Sequence, residues 1–206
     1  MKAAVINRFG GPEEIHLIDL PTPMPGTGQV LLKVLAALVT RNDHEVRQGL
    51  SAIAAPFPRV LGGVAVGEVV ERGPGSKRFQ IGDRVMLLPG QILSAGLGEH
   101  AAKMQQSAGT YAQYVAVSES AVQTDLSGLP PELSVTLSMA LLTAVRAVEV
   151  AGQVRAGYRV LVTAGNSATG IMAIQVARLL GASVAATVRN QSSAKTARTS
   201  GAERVI

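Results

Sequence analysis

The sequence of 206 residues predicts two folded regions of different class: a barrel-like β domain followed by an α/β domain. Three observations predict this. Short strand-like runs separated by glycine turns fill the first 125 residues. The pattern becomes helical at Leu129, where Pro130-Pro131-Glu132 places proline and an acid at a helix start. A strand, a glycine-rich turn, a helix and a second strand then occupy 159–188, the size of one βαβ unit.

Residues 2–6 read as a strand turned by Gly10-Gly11-Pro12, and Ile15, Leu17 and Asp19 then alternate roughly. Proline and glycine make 21–28 a loop. Residues 29–39 form a long apolar strand, and 40–48 a short helix that stops at Gly49. Further strands are expected at 64–70, 84–88 and 111–117, separated by two glycine turns and a polar lobe at 89–109. Leu133, Leu137, Leu141, Ala144 and Val148 recur at helical spacing, which predicts an amphipathic helix over 131–150. Val160-Leu161-Val162 is a continuous apolar run, as in a buried parallel strand. The helix expected at 168–180 is polar in its second half only at Gln175 and Arg178, which predicts burial nearly all round. Gly181 stops it. A strand at 184–188, a helix at 192–200 and the start of a third strand at 203–206 complete the pattern.

Composition excludes several functions. Hydrophobic residues make up 47% and charged residues 16%, which argues against a disordered chain. No uninterrupted apolar run of membrane-spanning length is found; the nearest, 135–152, carries Arg146 and Glu149. Asn7 and Arg8 interrupt any apolar leader. There is no cysteine, so a disulfide scaffold, a thiolate nucleophile and a cysteine-based zinc site are excluded, and a cytoplasmic setting is expected. The net charge of +5 is unevenly placed: residues 1–150 hold 12 basic and 13 acidic side chains, and 151–206 hold 7 and 1. A basic nucleic-acid module is disfavoured, because those seven cations are scattered and aromatic side chains for stacking on bases are few.

The turn Ala164-Gly165-Asn166-Ser167-Ala168-Thr169-Gly170 carries the chemistry. It is a G-x-G-x-x-G pattern with Ser167 at the second glycine. Such a turn aims backbone N–H groups at a pyrophosphate on a helix N-terminus. Gly165 is expected to allow the tight turn and Gly170 close helix packing, while Ser167 admits a phosphate and adds a hydroxyl. The end of the second strand selects the dinucleotide. A carboxylate there would hold a ribose 2′-hydroxyl. Here Arg189 stands in that place, followed by Ser192 and Lys195, which suits a 2′-phosphate and so NADP(H). The plainer reading leaves these cations as solvated surface charges.

The chain resembles the medium-chain dehydrogenase/reductases, in particular the zinc-free quinone oxidoreductases related to ζ-crystallin. Resemblance runs through Met1-Lys2-Ala3-Ala4-Val5, Gly10-Gly11-Pro12-Glu13, Gly28-Gln29-Val30-Leu31, Gly67-Glu68-Val69-Val70, Gly82-Asp83-Arg84-Val85, Gly109-Thr110-Tyr111-Ala112-Gln113-Tyr114 and Leu142-Thr143-Ala144. It is strongest over 159–178. It implies a GroES-like β-barrel domain at 1–125 and the first half of a Rossmann domain at 126–206, with an active site in the cleft between them. The implied activity is hydride transfer from NADPH to a quinone or activated enone. Thr40, Asn42 and Thr143 are the implied catalytic residues, bordering the acceptor or the nicotinamide. Helix capping by Thr40 and a helix hydroxyl for Thr143 stand equally open.

Where zinc-dependent relatives carry ligands, this chain reads Thr40-Arg41-Asn42-Asp43-His44-Glu45 and Leu61-Gly62-Gly63-Val64, so no metal is expected. His16, His44 and His100 offer no convincing proton donor. The chain ends in the third strand of the implied six. Residues 159–163 are then expected at a bare sheet edge, and the chain to be poorly soluble or to need a partner or a second copy. A non-catalytic remnant with weak cofactor or partner binding is the alternative reading.

Overall fold

The computed structural model describes residues 1–50, 57–87 and 109–206. It divides into two compact units, Met1–Ser138 and Met139–Ile206. All but the last residue of the expected lobe at 89–109, including His100, lies outside the described residues.

The first unit contains β1 (Lys2–Ile6), β2 (His16–Asp19), β3 (Gln29–Ala37), α1 (Arg41–Arg47), β4 (Arg59–Val60), β5 (Ala65–Arg72), β6 (Arg84–Leu87), β7 (Tyr114–Ser118) and β8 (Val122–Thr124). One sheet has the order β7-β3-β5-β6-β8, the other β2-β1-β4, and every pairing in both is antiparallel. β4 and β8 were not expected, since two or three residues are too few to show alternation. β3 lies inside the larger sheet, between β7 and β5, and is apolar apart from Gln29 and Lys33. Val30 and Leu32 are fully buried and pack with Val69, Val85, Val115 and Val117. Its register against β5 shifts after Leu31 and again after Val34, and such bulges sharpen the twist of a sheet.

Glu119 closes the turn before Phe79. Its carboxylate accepts from Ser76 Oγ at 2.7 Å and from the backbone N–H groups of Lys77 and Arg78 at 3.0 and 3.1 Å. The Ser76 hydroxyl leads these bonds in holding the carboxyl below the usual carboxylate range.

Helix α2 (Pro131–Val145) runs on into a π-helical segment, Arg146–Ala151. Its buried stripe differs from the expected leucine stripe. Leu133 is exposed, and Ser134, Val135 and Ser138 are buried instead. Both serines are satisfied there: Ser134 Oγ donates to Asp125 and Ser138 Oγ to the Val135 carbonyl. An 18-residue window of this 21-residue helix has a mean hydropathy of 1.6, so by length and composition alone the helix is long and apolar enough to cross a membrane. Arg146 and Glu149 within it are exposed, while Ala144 and Val148 join the core of the second unit.

The second unit adds β9 (Arg159–Val162), α3 (Ala168–Leu179), β10 (Ser183–Ala186), α4 (Gln191–Thr199) and β11 (Arg204–Val205). The sheet is parallel, in the order β11-β10-β9, which is the 3-2-1 half of a doubly wound sheet. Its core is built from small residues: Ala173, Ala177, Ala182, Ala186, Ala197 and Ala202 surround Ile174 and Val184. Two expectations are corrected. α3 is buried on one face only, and Gln175, Arg178 and Leu179 are exposed, because the helix covers the sheet with a single stripe. β9 is not a fully buried strand. Among the described residues it pairs only with β10, and Leu161 on this edge is 58% exposed.

Candidate nucleotide-binding site

The turn between β9 and α3 is built by close packing. Ala164, not Gly165, takes the left-handed conformation, with φ of 52°. Its carbonyl accepts from the Ser167 N–H at 2.9 Å. Gly165 serves a different purpose. A Cβ there would lie 2.7 Å from Ala186 Cβ and 3.4 Å from Ile174 Cδ1, so the missing side chain lets the turn lie against β10. The Gly165 N–H donates to the Thr187 carbonyl at 2.8 Å and fastens that contact. A Cβ on Gly170 would lie 2.3 Å from the Ala164 carbonyl oxygen, so the first turn of α3 closes directly over the loop.

Ser167 is the N-cap of α3, and its Oγ accepts from the Gly170 N–H at 3.0 Å. The N–H groups of Asn166, Ala168 and Thr169 have no acceptor among the described residues. These donors, the positive end of the helix dipole and the Ser167 hydroxyl proton form a donor set suited to a phosphate anion.

The second half of the candidate site follows β10. Arg189 and Lys195 are exposed and have no ion-pair partner among the described residues. The Ser192 hydroxyl donates to Asn190 Oδ1 at 2.8 Å. Asn190 is the N-cap of α4, and its Oδ1 also accepts from the Ser193 N–H at 3.0 Å and the Ser193 hydroxyl at 2.7 Å. Ser193 Oγ in turn accepts from Asn166 Nδ2 at 3.0 Å. Sequence reasoning missed Asn190 and Ser193 as an organised pair. An Asn ahead of a helix was the available signal.

Of the implied catalytic residues, Thr40 and Asn42 belong to the first unit and Thr143 to the second. Thr40 caps α1 in a capping box with Asp43: the Thr40 N–H and hydroxyl both donate to Asp43 Oδ2 at 2.7 Å, and the Asp43 N–H reaches Thr40 Oγ1 at 3.4 Å. Asn42 is exposed in the first turn of α1. Thr143 is exposed, and its hydroxyl donates to the Met139 carbonyl at 2.8 Å. The neighbours of Asn42 on α1 are also engaged separately. His44 Nδ1 lies 2.9 Å from Arg47 Nη2, and Glu45 pairs with Arg41 at 2.9 Å. Tyr111, whose role the sequence did not suggest, is half-buried and donates to the Leu38 carbonyl at 3.4 Å. Burial pushes its phenol up, and the Asp43 carboxylate adds to this, so the phenol keeps its proton.

The alcohol dehydrogenase GroES-like domain family matches residues 26–131. The acryloyl-coenzyme A reductase of Sulfurisphaera tokodaii is 30% identical over 206 aligned residues, covering 95% of this chain and 60% of the relative. The quinone oxidoreductase of Homo sapiens is 28% identical, covering 100% of this chain and 58% of the relative. A solved structure of an NAD-dependent alcohol dehydrogenase superposes with a TM-score of 0.86 at 33% identity, over 100% of this chain and 63% of that one. The chain thus spans roughly three fifths of the length of these relatives. It belongs to the medium-chain dehydrogenase/reductase family of oxidoreductases and carries the alcohol dehydrogenase GroES-like domain.

Proposed function

We propose that this chain is the nucleotide-binding part of an NADPH-dependent oxidoreductase that reduces a quinone or an activated enone without zinc. One observation carries the nucleotide half of this reading: the N–H groups of Asn166, Ala168 and Thr169, without an acceptor among the described residues, stand at the N-terminus of α3, in the same unit as the exposed cations Arg189 and Lys195. The N–H groups would hold the pyrophosphate, and Arg189 with Lys195 would hold the 2′-phosphate. When bound, the nicotinamide supplies the hydride. The acceptor class is supported by similarity to an acryloyl-coenzyme A reductase and a quinone oxidoreductase. Such acceptors spread the added charge, so the protein need supply mainly orientation and a site sheltered from water. Within this reading Thr40, Asn42 and Thr143 keep the catalytic roles that the family resemblance implies. The β9 edge, with Leu161 exposed, takes up a further strand from a partner or a second copy.

Titration of the chain with NADPH and NADH, followed by steady-state NADPH oxidation with a small quinone, tests the proposal. NADPH is expected to bind more tightly, with Arg189→Ala removing most of the difference. Equal affinity for the two nucleotides, or an unchanged Arg189→Ala variant, overturns the NADPH assignment. Weak binding together with no turnover favours the non-catalytic remnant.

A further inference from the structure

We propose that Asn166 is a positioning residue for nucleotide discrimination: its contact with Ser193 locks the pyrophosphate turn to α4, the helix that follows Arg189 and carries Lys195. The proposal rests on the NADPH reading above and adds to it how the two halves of the site are held in register. Asn166 and Ser193 lie 27 positions apart, yet Nδ2 of one donates to Oγ of the other at 3.0 Å. Ser193 is itself tethered, because its hydroxyl donates to Asn190 Oδ1 at 2.7 Å and Asn190 caps α4. The chain of bonds therefore runs from the turn before α3, through Ser193, to the residue next to Arg189.

A serine hydroxyl has one proton, and Ser193 gives its proton to Asn190. Ser193 Oγ can only accept from residue 166, so that residue must be a donor. Asparagine satisfies this and aspartate, with the same shape, does not. The amide also has no other partner among the described residues, so the turn depends on Ser193 for this tie. Without it, α4 and the preceding Arg189 gain freedom relative to the turn. The arrangement that can meet pyrophosphate and 2′-phosphate together is then populated for a smaller fraction of the time, and apparent affinity falls by that fraction. NADH has no 2′-phosphate to be met, so it feels the loss less.

The test is a binding experiment on the full 206-residue chain, read by the fluorescence of the reduced nicotinamide and, separately, by calorimetry with 2′,5′-ADP. Asn166→Ala and Ser193→Ala are each expected to weaken NADPH and 2′,5′-ADP about fivefold, the factor one neutral hydrogen bond carries. NADH affinity should change little. The double variant should be no worse than either single one. Asn166→Asp should behave as badly as Asn166→Ala, whereas Ser193→Thr, which keeps the hydroxyl, should retain the preference. A merely structural role would weaken both nucleotides equally or only lower the melting temperature, and that result overturns the proposal. So does an Asn166→Asp variant that keeps its preference. If the wild-type chain does not distinguish NADPH from NADH, the NADPH reading fails and this proposal fails with it. If it prefers NADPH and Asn166→Ala prefers it equally, only the role of Asn166 is lost.

Discussion

Ser134, in the first turn of α2, donates its hydroxyl to the carboxylate of Asp125 at 2.7 Å, and Arg84 reaches the same oxygen at 2.7 Å from β6. The Asp125 side chain is 1% exposed. Arg84 also donates to the Leu129 carbonyl at 2.7 Å. A strand, a loop and a helix start of the first unit are thereby held by one carboxylate.

This carboxylate makes the first unit acid-sensitive. Burial alone would push the Asp125 carboxyl up, but hydrogen bonds from Ser127, Ser134 and Arg84 outweigh it and hold the carboxyl below the usual carboxylate range. The folded value lies below the unfolded one. The stabilisation is therefore complete above about pH 4 and is lost as pH falls through the folded value. Urea midpoints measured between about pH 7 and pH 2 should drop in that acid window. Asp125→Asn should cost about 2 kcal/mol at neutral pH and flatten the acid limb.

Gly170→Ala should unfold or deform the nucleotide turn. The new Cβ would meet the Ala164 carbonyl, which is backbone and cannot swing aside. A cost of about 3 kcal/mol is expected, against about 0.5 kcal/mol or less for Thr169→Ala on the exposed neighbour. Chemical denaturation followed by circular dichroism would measure both.

Thr40→Ala separates a capping role from a catalytic one. Loss of the cap should cost about 1 kcal/mol of stability. Under the proposed function, quinone turnover should also fall further than the folded fraction explains. Turnover that simply tracks folding would leave Thr40 as a cap and nothing more.

Salt should discriminate between the nucleotides. Arg189 and Lys195 are exposed, so their attraction for a 2′-phosphate is screened. Between roughly 0.1 and 1 M salt the screening length contracts from about 10 to about 3 Å. NADPH affinity should fall more than NADH affinity over that range, and the gap should vanish in an Arg189→Ala, Lys195→Ala double variant. Nucleotide titrations at several salt concentrations decide the point.

The sequence revealed elements wherever burial and periodicity coincide. β3 was legible because Val30 and Leu32 are apolar and face the core, and the second unit was legible through its strand, turn and helix order. The leucine stripe of α2 misled, because periodicity scores apolarity and cannot see that Ser134 and Ser138 are buried with their hydroxyls satisfied. At the nucleotide turn the two glycines were visible as glycines. Which residue would carry the left-handed backbone was not, since Ala164 is held there by contacts with Ser167. The Asn166 to Ser193 contact joins a loop to the first turn of a helix distant in sequence, and no local pattern encodes such a pairing.

The placement of β3 also orders the assembly of the first unit. Gln29 pairs with Ser118 on one side of β3, while Val30 pairs with Arg72 on the other. As the chain leaves the ribosome, β5 is available long before β7. One flank of β3 therefore stays unpaired while the intervening chain is made, and closure must bring together positions far apart in the chain. During that interval the exposed edge of Val30-Leu31-Leu32 is the segment a chaperone would be expected to guard.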